Sequence, residues 1–356
     1  MKKINVLAPI NNLGYGVASL NICRALSKRG SKVSLFPIGQ PSFSSQEEAN
    51  EMSPLLEAQG SFSHTAPCLK IWHEHLMGER VGKGKFVGFP FFEINKFDDS
   101  RKNHLSSCDE IMVASDWAKD IVEKEVPSAK VHTVPLGVDL STFSFSEPPP
   151  SDKFVFFNCG KWEKRKGHDL LIFLFMEAFK NESDVELWMM CHNPFLSPEQ
   201  DAQWKSAYRQ DARVRFIDRV QSQSEVASIM SLVDCGIFPS RAEGWNLEIL
   251  ELMALGKGII TTNYSAHTQF CTEENSMLVT PINNERAIDG QFFNGFGEWA
   301  SLQGVEEKFV AHMKNIYKEW KSGDKKRIIN QEGIKSAEKF SWTATAQKIE
   351  EVLHDS

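Results

Sequence analysis

Hydrophobic positions in this chain fall mainly into short unbroken runs, each followed by turn residues and then by apolar positions at helical spacing. Residues 4–9 form the first run and 33–38 the second; between them Val17, Leu20, Cys23 and Leu26 make one helical stripe. Runs at 70–73, 86–92 and 110–114 follow. Apolar runs without alternation suit strands covered on both faces, as parallel sheets flanked by helices require. The order β-α-β-α therefore predicts a doubly wound α/β sheet. The stretch EPPPSD at 147–152 interrupts the series, because three consecutive prolines continue neither a helix nor a central strand. It reads as a linker. Beyond it the alternation resumes, with strands predicted at 153–158, 185–191, 214–217, 235–238 and 258–262. Helices are predicted at 167–180, 224–231 and 247–255, and a last one at 336–353 that carries Phe340, Trp342, Ala346, Ile349 and Leu353. The chain thus divides into an N-terminal Rossmann-like domain at 1–147, a second at 152–335 and a closing helix at 336–356.

Length agrees with two domains, since 356 residues exceed the roughly 250–300 that one core serves. The longest apolar run, 170–176, is far short of the roughly 20 residues that cross a bilayer. The first residues lack the long apolar stretch of a secretory signal, so a cytoplasmic protein is expected, with peripheral attachment to a membrane left open. The net charge is −7, and the first 147 residues hold 16 basic and 17 acidic groups, so a global nucleic-acid footprint is absent. Seven cysteines are scattered without a C-x-x-C pair, which argues against a zinc site or a disulfide framework.

Two doubly wound domains place ligands at the carboxyl ends of their strands, in a crevice between them. Three strand-to-helix loops carry candidate chemistry there. The first holds Gly14-Tyr15-Gly16, where backbone amides can approach an anion; a tight turn is the plain alternative, and a third glycine for a dinucleotide fingerprint is missing. The second, residues 160–167, sets Lys161, Lys164, Arg165 and Lys166 between two glycines. A charge run is usually a solvated surface, but at a strand end it can hold phosphates and stabilise charge on a phosphate leaving group. It is no Walker loop. The third, residues 239–251, enters a helix whose first amides, from Gly244 to Leu247, are orphan donors for an anion or a polar sugar. A helix beginning near Gly244 would set Glu251 about 20° off the same face and roughly 10 Å along the axis. Glu243 and Glu251 then suit the hydroxyls of an elongated ligand; otherwise they are a helix-end charge and a surface residue.

The pair Glu243 and Glu251, spaced E-x7-E and followed by LMALGKGIITTN, resembles the signature of glycosyltransferase family 4. The resemblance continues through Gly14-Tyr15-Gly16, 134–139 (VPLGVD), 160–167, 214–220 and the closing FSW at 340–342, in order along nearly the whole chain. It implies the GT-B fold, with a terminal helix crossing back to the first domain. It also implies a retaining enzyme that moves a sugar from a nucleotide-diphosphate donor, a UDP- or GDP-sugar, to a hydroxyl acceptor without a cofactor or metal. In that family the donor diphosphate binds the positions matched by Lys161 and Lys166. Glu243 matches the glutamate beside the transferred sugar, and Glu251 the one holding the ribose. Amides of Gly244, Trp245, Asn246 and Leu247 contact phosphate or sugar, while Gly14 and Gly16 face the donor from the first domain. Glu243, Lys161 and Lys166 are accordingly the expected catalytic set.

Three positions depart from the family pattern. Asn246 stands where glycine is usual, and Phe216-Ile217-Asp218 lacks the usual glycine near the base. The first-domain histidine is missing from 87–93, where Glu93 stands instead; His73 and His75, read at an earlier strand end, are the other acceptor-side candidates. His73 and His75 flank Glu74 in a pattern that can ligate a metal, although alternate strand residues commonly just share a face. Asp98-Asp99 reads as an exposed loop pair. Acceptors compatible with the sequence are a saccharide, a lipid-linked glycan or a modified nucleic acid, the last because Arg80, Lys83, Lys85, Lys96, Arg101 and Lys102 cluster in the first domain. A non-hydrolysing nucleotide-sugar epimerase of the same architecture is the rival enzyme, and a silent binding module the rival from another class.

Overall fold

The computed structural model describes residues 2–147 and 149–354; Pro148 of the expected linker, with Met1, Asp355 and Ser356, lies outside them. Two compact units are present, one of residues 1–139 with 340–356, the other of residues 140–339.

In the first unit, β1 (Lys3–Ala8), α1 (Gly14–Lys28), β2 (Lys32–Pro37), α2 (Gln46–Glu57), β3 (Cys68–Lys70) and β4 (Phe86–Gly88) follow one another. Then come α3 (Asp99–Ser106), β5 (Glu110–Val113), α4 (Asp116–Glu125) and β6 (Val131–Thr133). The six strands are parallel in the order β2-β1-β3-β4-β5-β6. The chain builds outward from β1 in one direction and then the other, so the loops after β1 and β3 part at this switch point. β3 lies two residues earlier than the run at 70–73 and shares only Lys70 with it, and β4 is shorter than its run. The last ladder bond of the run at 86–92 is Phe89 N–H to Lys70 O, 2.7 Å, and Pro90 then offers no N–H. The remaining apolar residues Phe89, Phe92, Ile94 and Phe97 are buried as loop rather than strand. His73 likewise lies beyond the strand, and His75 sits in a single 3-10 turn, Glu74–Leu76.

The second unit begins with β7 (Phe154–Gly160), α5 (His168–Ala178), β8 (Val185–Cys191), α6 (Pro198–Tyr208), β9 (Val214–Phe216) and α7 (Gln223–Ser231). β10 (Cys235–Phe238), α8 (Leu247–Ala254), β11 (Gly258–Thr262) and β12 (Met277–Val279) complete a parallel sheet of order β12-β11-β10-β7-β8-β9. Here the switch point lies between β7 and β10. Its core is aromatic: Phe154 packs against Trp320 and Phe156, with ring centroids 5.7 and 4.9 Å away. After β12 come an antiparallel hairpin, β13 (Asn284–Ile288) with β14 (Asn294–Ala300), and the helices α9 (Glu306–Ser322) and α10 (Gln331–Lys339). The sequence pattern did not single out the hairpin.

The single helix expected at 336–353 is two. α10 stops at Lys339, and α11 (Trp342–His354) starts after Ser341, whose Oγ accepts from the Ala344 amide at 3.2 Å. A serine side chain that caps a new helix competes with continuing the old one. α11 belongs to the first unit: Glu350 accepts from Arg29 at 3.0 Å and Ser31 at 2.6 Å, and the Thr345 hydroxyl donates to Pro135 O at 2.8 Å. Gly137 lets it dock, because a Cβ there would stand 2.3 Å from the Trp342 nitrogen. Gly137→Ala should therefore lower stability by about 1–3 kcal/mol through overpacking. It should also expose α11 to limited proteolysis; an unchanged melting temperature and digest would contradict this docking.

Candidate functional site

The loops after β7 and β10 meet at the switch point of the second unit. The basic loop leaves β7 at Gly160 (φ 124°) and enters α5 through Gly167 (φ 74°), backbone angles that favour glycine. A Cβ at Gly167 would also lie 2.0 Å from Pro239 O, so this glycine lets the two loops touch. Arg241 N–H then donates to Arg165 O at 2.6 Å.

Across that contact runs an alternating chain of charges. Lys166 Nζ donates to Glu243 Oε1 at 3.0 Å, and Arg165 Nη1 to Glu243 Oε2 at 2.6 Å. Arg165 Nη2 also donates to Glu163 Oε2 at 2.7 Å, whose other oxygen pairs with Lys161 at 2.8 Å. The Ser240 hydroxyl donates to Glu243, and the Glu243 amide donates to Ser265 Oγ at 2.8 Å. Glu163, Arg165, Lys166 and Glu243 are all buried. Burial alone would raise the Glu243 carboxyl, but Arg165 and Lys166 hold it far below the usual carboxylate range. Lys166 is in turn held above its ordinary value by Glu243 and Glu248, against the effect of burial. Lys161 is more exposed, its ammonium 5.2 and 5.7 Å from the ring centroids of Phe292 and Phe195.

Two neutral histidines frame this network. His168 Nδ1 accepts from the Glu163 amide at 3.1 Å, which leaves its Nε2–H to donate to Asn158 Oδ1 at 2.8 Å. Burial and the Lys166 charge push it down to about 3. His267 Nδ1–H donates to Thr262 O at 3.1 Å, and its Nε2 accepts from Asn246 Nδ2 at 3.0 Å; burial pushes it down to about 4.

α8 begins at Leu247, three residues later than a start at Gly244 would require. Glu251 is therefore only one turn inside the helix, roughly 6 Å along its axis from Leu247. It is buried rather than superficial, with no ion pair or side-chain hydrogen bond among the described residues. Burial, and secondarily Glu248, raises it to about 8, so it is mostly protonated at neutral pH. Asn246 precedes the helix at φ 81°, a left-handed conformation that asparagine tolerates better than most residues. Its occupation of a glycine position thus meets the same backbone demand. Its Oδ1 is buried without a hydrogen bond among the described residues. Gly244 and Trp245 are buried in the turn, and no side chain caps the helix amides.

The structure brings Lys161, Lys166, Glu243, Gly244–Leu247 and Glu251 into one neighbourhood of the second unit. Arg165 was visible only as part of a basic run, yet it bridges Glu163 and Glu243. Ser265 and His267 carried no sequence signal, because their contacts with Glu243 and Asn246 cross between neighbouring parallel strands; Ser240 and His168, which bond within their own loops, belong to no motif.

The other candidates lie in the first unit, at its own switch point. Gly16 is required by its loop: a Cβ would stand 2.2 Å from Asn11 O. Gly14 is exposed, and a Cβ there would meet nothing within 4 Å. His73, Glu74 and His75 offer potential ligand atoms within 4.8 Å of one another, but Glu74 also accepts from Arg101 at 2.7 Å, which opposes a cation. Glu93 is half-buried nearby, its charge bearing on the Tyr15 hydroxyl. Asp98 is a helix cap rather than a loose loop residue, accepting from the Arg101 amide at 2.8 Å. Of the basic cluster, Lys85, Arg101 and Lys102 pair with Glu110, Glu74 and Glu125.

Residues 153–290 match the family model described as Glycosyl transferases group 1. The O-antigen biosynthesis glycosyltransferase WclY of Escherichia coli is 31% identical over 114 residues, 32% of this chain and 30% of that protein. The match spans about a third of either protein. Among solved structures, sucrose-phosphate synthase of Thermosynechococcus elongatus is similar at TM-score 0.72 and 14% identity, over 99% of this chain and 98% of that one. HepE of Anabaena, solved in complex with UDP-glucose, is similar at TM-score 0.66 and 14% identity, over 99% of each chain. The fold is that of the GT-B glycosyltransferases, two Rossmann-like units with a six-stranded parallel sheet apiece. No helix among the described residues is long and apolar enough to cross a membrane.

His168, His267 and Glu251 together predict a stability optimum. His168 and His267 stay neutral in the fold, so their contribution is full above about pH 6.5 and is lost as pH falls towards 4 and 3. Glu251 acts oppositely, destabilising the fold as pH rises from about 4.3 to 8. Denaturant stability should peak near pH 6.5, with slopes of about 1.4 kcal/mol per pH unit for each net proton. Glu251→Gln should abolish the decline above the peak; a decline that persists in the variant would contradict the assignment.

Proposed function

We propose that the protein is a retaining glycosyltransferase of the family 4 type, using a nucleotide-diphosphate sugar and a hydroxyl acceptor. The observation that carries this reading is the contact of Lys166 with Glu243 across the switch point, beside the uncapped amides of α8. Such a place suits a diphosphate: Lys161, Arg165 and Lys166 stand together among Glu163, Glu243 and Glu248, Lys161 is the most exposed of the three cations, and the helix amides add donors. The likeness of residues 153–290 to the group 1 glycosyl transferases and of the fold to a UDP-glucose complex supports the same donor class.

The chemistry follows from the charge states. Breaking the bond between sugar and phosphate leaves a cationic anomeric centre and a charged diphosphate. Lys161, Lys166 and the amides of α8 stabilise the departing charge in place before it develops. Glu243 is held ionised and cannot donate a proton, so it serves by accepting hydrogen bonds from hydroxyls of the transferred sugar. Glu251, protonated at neutral pH, both donates to and accepts from ribose hydroxyls. Because Glu243 carries no proton to give, the reading adopts a front-face route in which the leaving phosphate oxygen takes the proton of the acceptor.

A thermal-shift panel of UDP-, GDP- and ADP-sugars tests the reading, because a ligand that binds only the native state raises its stability. At least one should raise the melting temperature. Lys161→Ala, at a half-exposed site, should weaken that binding about tenfold or more, as loss of a hydrogen bond to a charged group does. No shift with any donor would overturn the proposal.

Glu243 also carries structure. Glu243→Ala leaves Arg165 and Lys166 without their shared anion and should cost about 3–5 kcal/mol, the range for breaking a buried pair. Loss of activity in that variant therefore needs a matched measurement of unfolding; a variant as stable as the parent would contradict the buried network.

A further inference from the structure

Three aromatic side chains gather at the switch point of the first unit. Tyr15 lies at the start of α1 after β1, Trp72 follows β3 and Phe91 follows β4. The ring centroid of Tyr15 is 5.5 Å from Trp72, 4.8 Å from Phe91 and 4.7 Å from His73, which in turn stacks on His75 at 5.3 Å. The Tyr15 hydroxyl donates to Phe91 O at 2.7 Å and accepts from Phe91 N–H at 2.9 Å, so the ring is fixed and the loops after β1 and β4 are tied together. A cluster formed only for packing would be buried, as neighbouring Phe89, Phe92 and Phe97 are. Tyr15, Trp72 and Phe91 instead each keep part of their surface open.

Polar groups edge these rings. His75 Nδ1 faces Glu74 Oε1 at 3.6 Å, and His73 and Glu93 are half-buried beside the aromatic faces. Burial of the Tyr15 hydroxyl, and secondarily the charges of Glu74 and Glu93, raise it above its ordinary value, while the ring keeps part of its surface open. Flat aromatic faces with a rim of hydrogen-bonding groups match a pyranose, whose axial C–H face is weakly positive and whose equator is all hydroxyl. A phosphate-bearing acceptor suits the place less well, since the nearby Arg101 guanidinium is already committed to Glu74 and Asp98.

We propose that Tyr15, Trp72 and Phe91, edged by His73, His75 and Glu93, seat a hexopyranose ring of the acceptor, so that the acceptor class is a saccharide. This rests on the glycosyltransferase reading but names a site in the other unit, with its own ligand.

Saturation-transfer NMR on the full chain tests it with methyl glucoside, methyl galactoside, methyl mannoside and N-acetylglucosamine as probes, and 1-octanol as an apolar control. UDP binding is followed by thermal shift in the same samples, so the donor reading stands or falls separately. At least one pyranoside should receive saturation, strongest on its C–H face. Trp72→Ala should reduce that signal about tenfold and leave UDP binding unchanged, while Trp72→Phe, which keeps a ring, should retain most of it. Absence of signal from every pyranoside overturns the proposal, as does equal saturation of 1-octanol or an undiminished signal in a folded Trp72→Ala protein.

Discussion

Glu243 is shared between two cations from the loop of the neighbouring strand, and the chemistry of the second unit is organised about that one buried carboxylate. A buried charge is tolerated only when paired and hydrogen-bonded. Glu243 meets the condition through Lys166, Arg165 and Ser240, and Ser265 accepts from its amide; these partners come from the ends of three adjacent parallel strands. The same contacts therefore hold the loops in register and fix the cations where a diphosphate would arrive. On the proposed reading, stability and anion recognition are not separable at this position.

The environment divides the labour between the two glutamates. Glu243 has cations on both oxygens and stays ionised, whereas Glu251 lies one turn inside a helix, without a cation and near Glu248, and keeps its proton. Two identical side chains thus offer different hydrogen-bonding capacity eight positions apart. His168 and His267, both kept neutral by burial, fix the surrounding loops without adding charge to the site.

Much of the doubly wound fold was legible in the sequence because parallel strands buried on both faces leave unbroken apolar runs, and β8, β10 and β11 fall where the runs at 185–191, 235–238 and 258–262 place them. What failed had identifiable causes. Apolar residues after Gly88 were read as strand although Pro90 ends the ladder and the side chains pack from a loop. The break between α10 and α11 turned on the capping hydroxyl of Ser341, which the apolar stripe outweighed. The hairpin β13–β14 carries aromatic residues at irregular spacing and so imitates neither period. At the site, the basic loop and the acidic pair could be seen as local motifs. The role of Arg165, the protonation of Glu251 and the contacts of Ser265 and His267 depend on which strands are neighbours, and no local pattern encodes that.

If the site of the second unit recognises a diphosphate through fixed cations and helix amides, calorimetric titration with UDP, UMP and uridine will show it. Affinity should fall steeply from diphosphate to monophosphate to nucleoside and weaken with added salt. Equal affinity for uridine and UDP would contradict it.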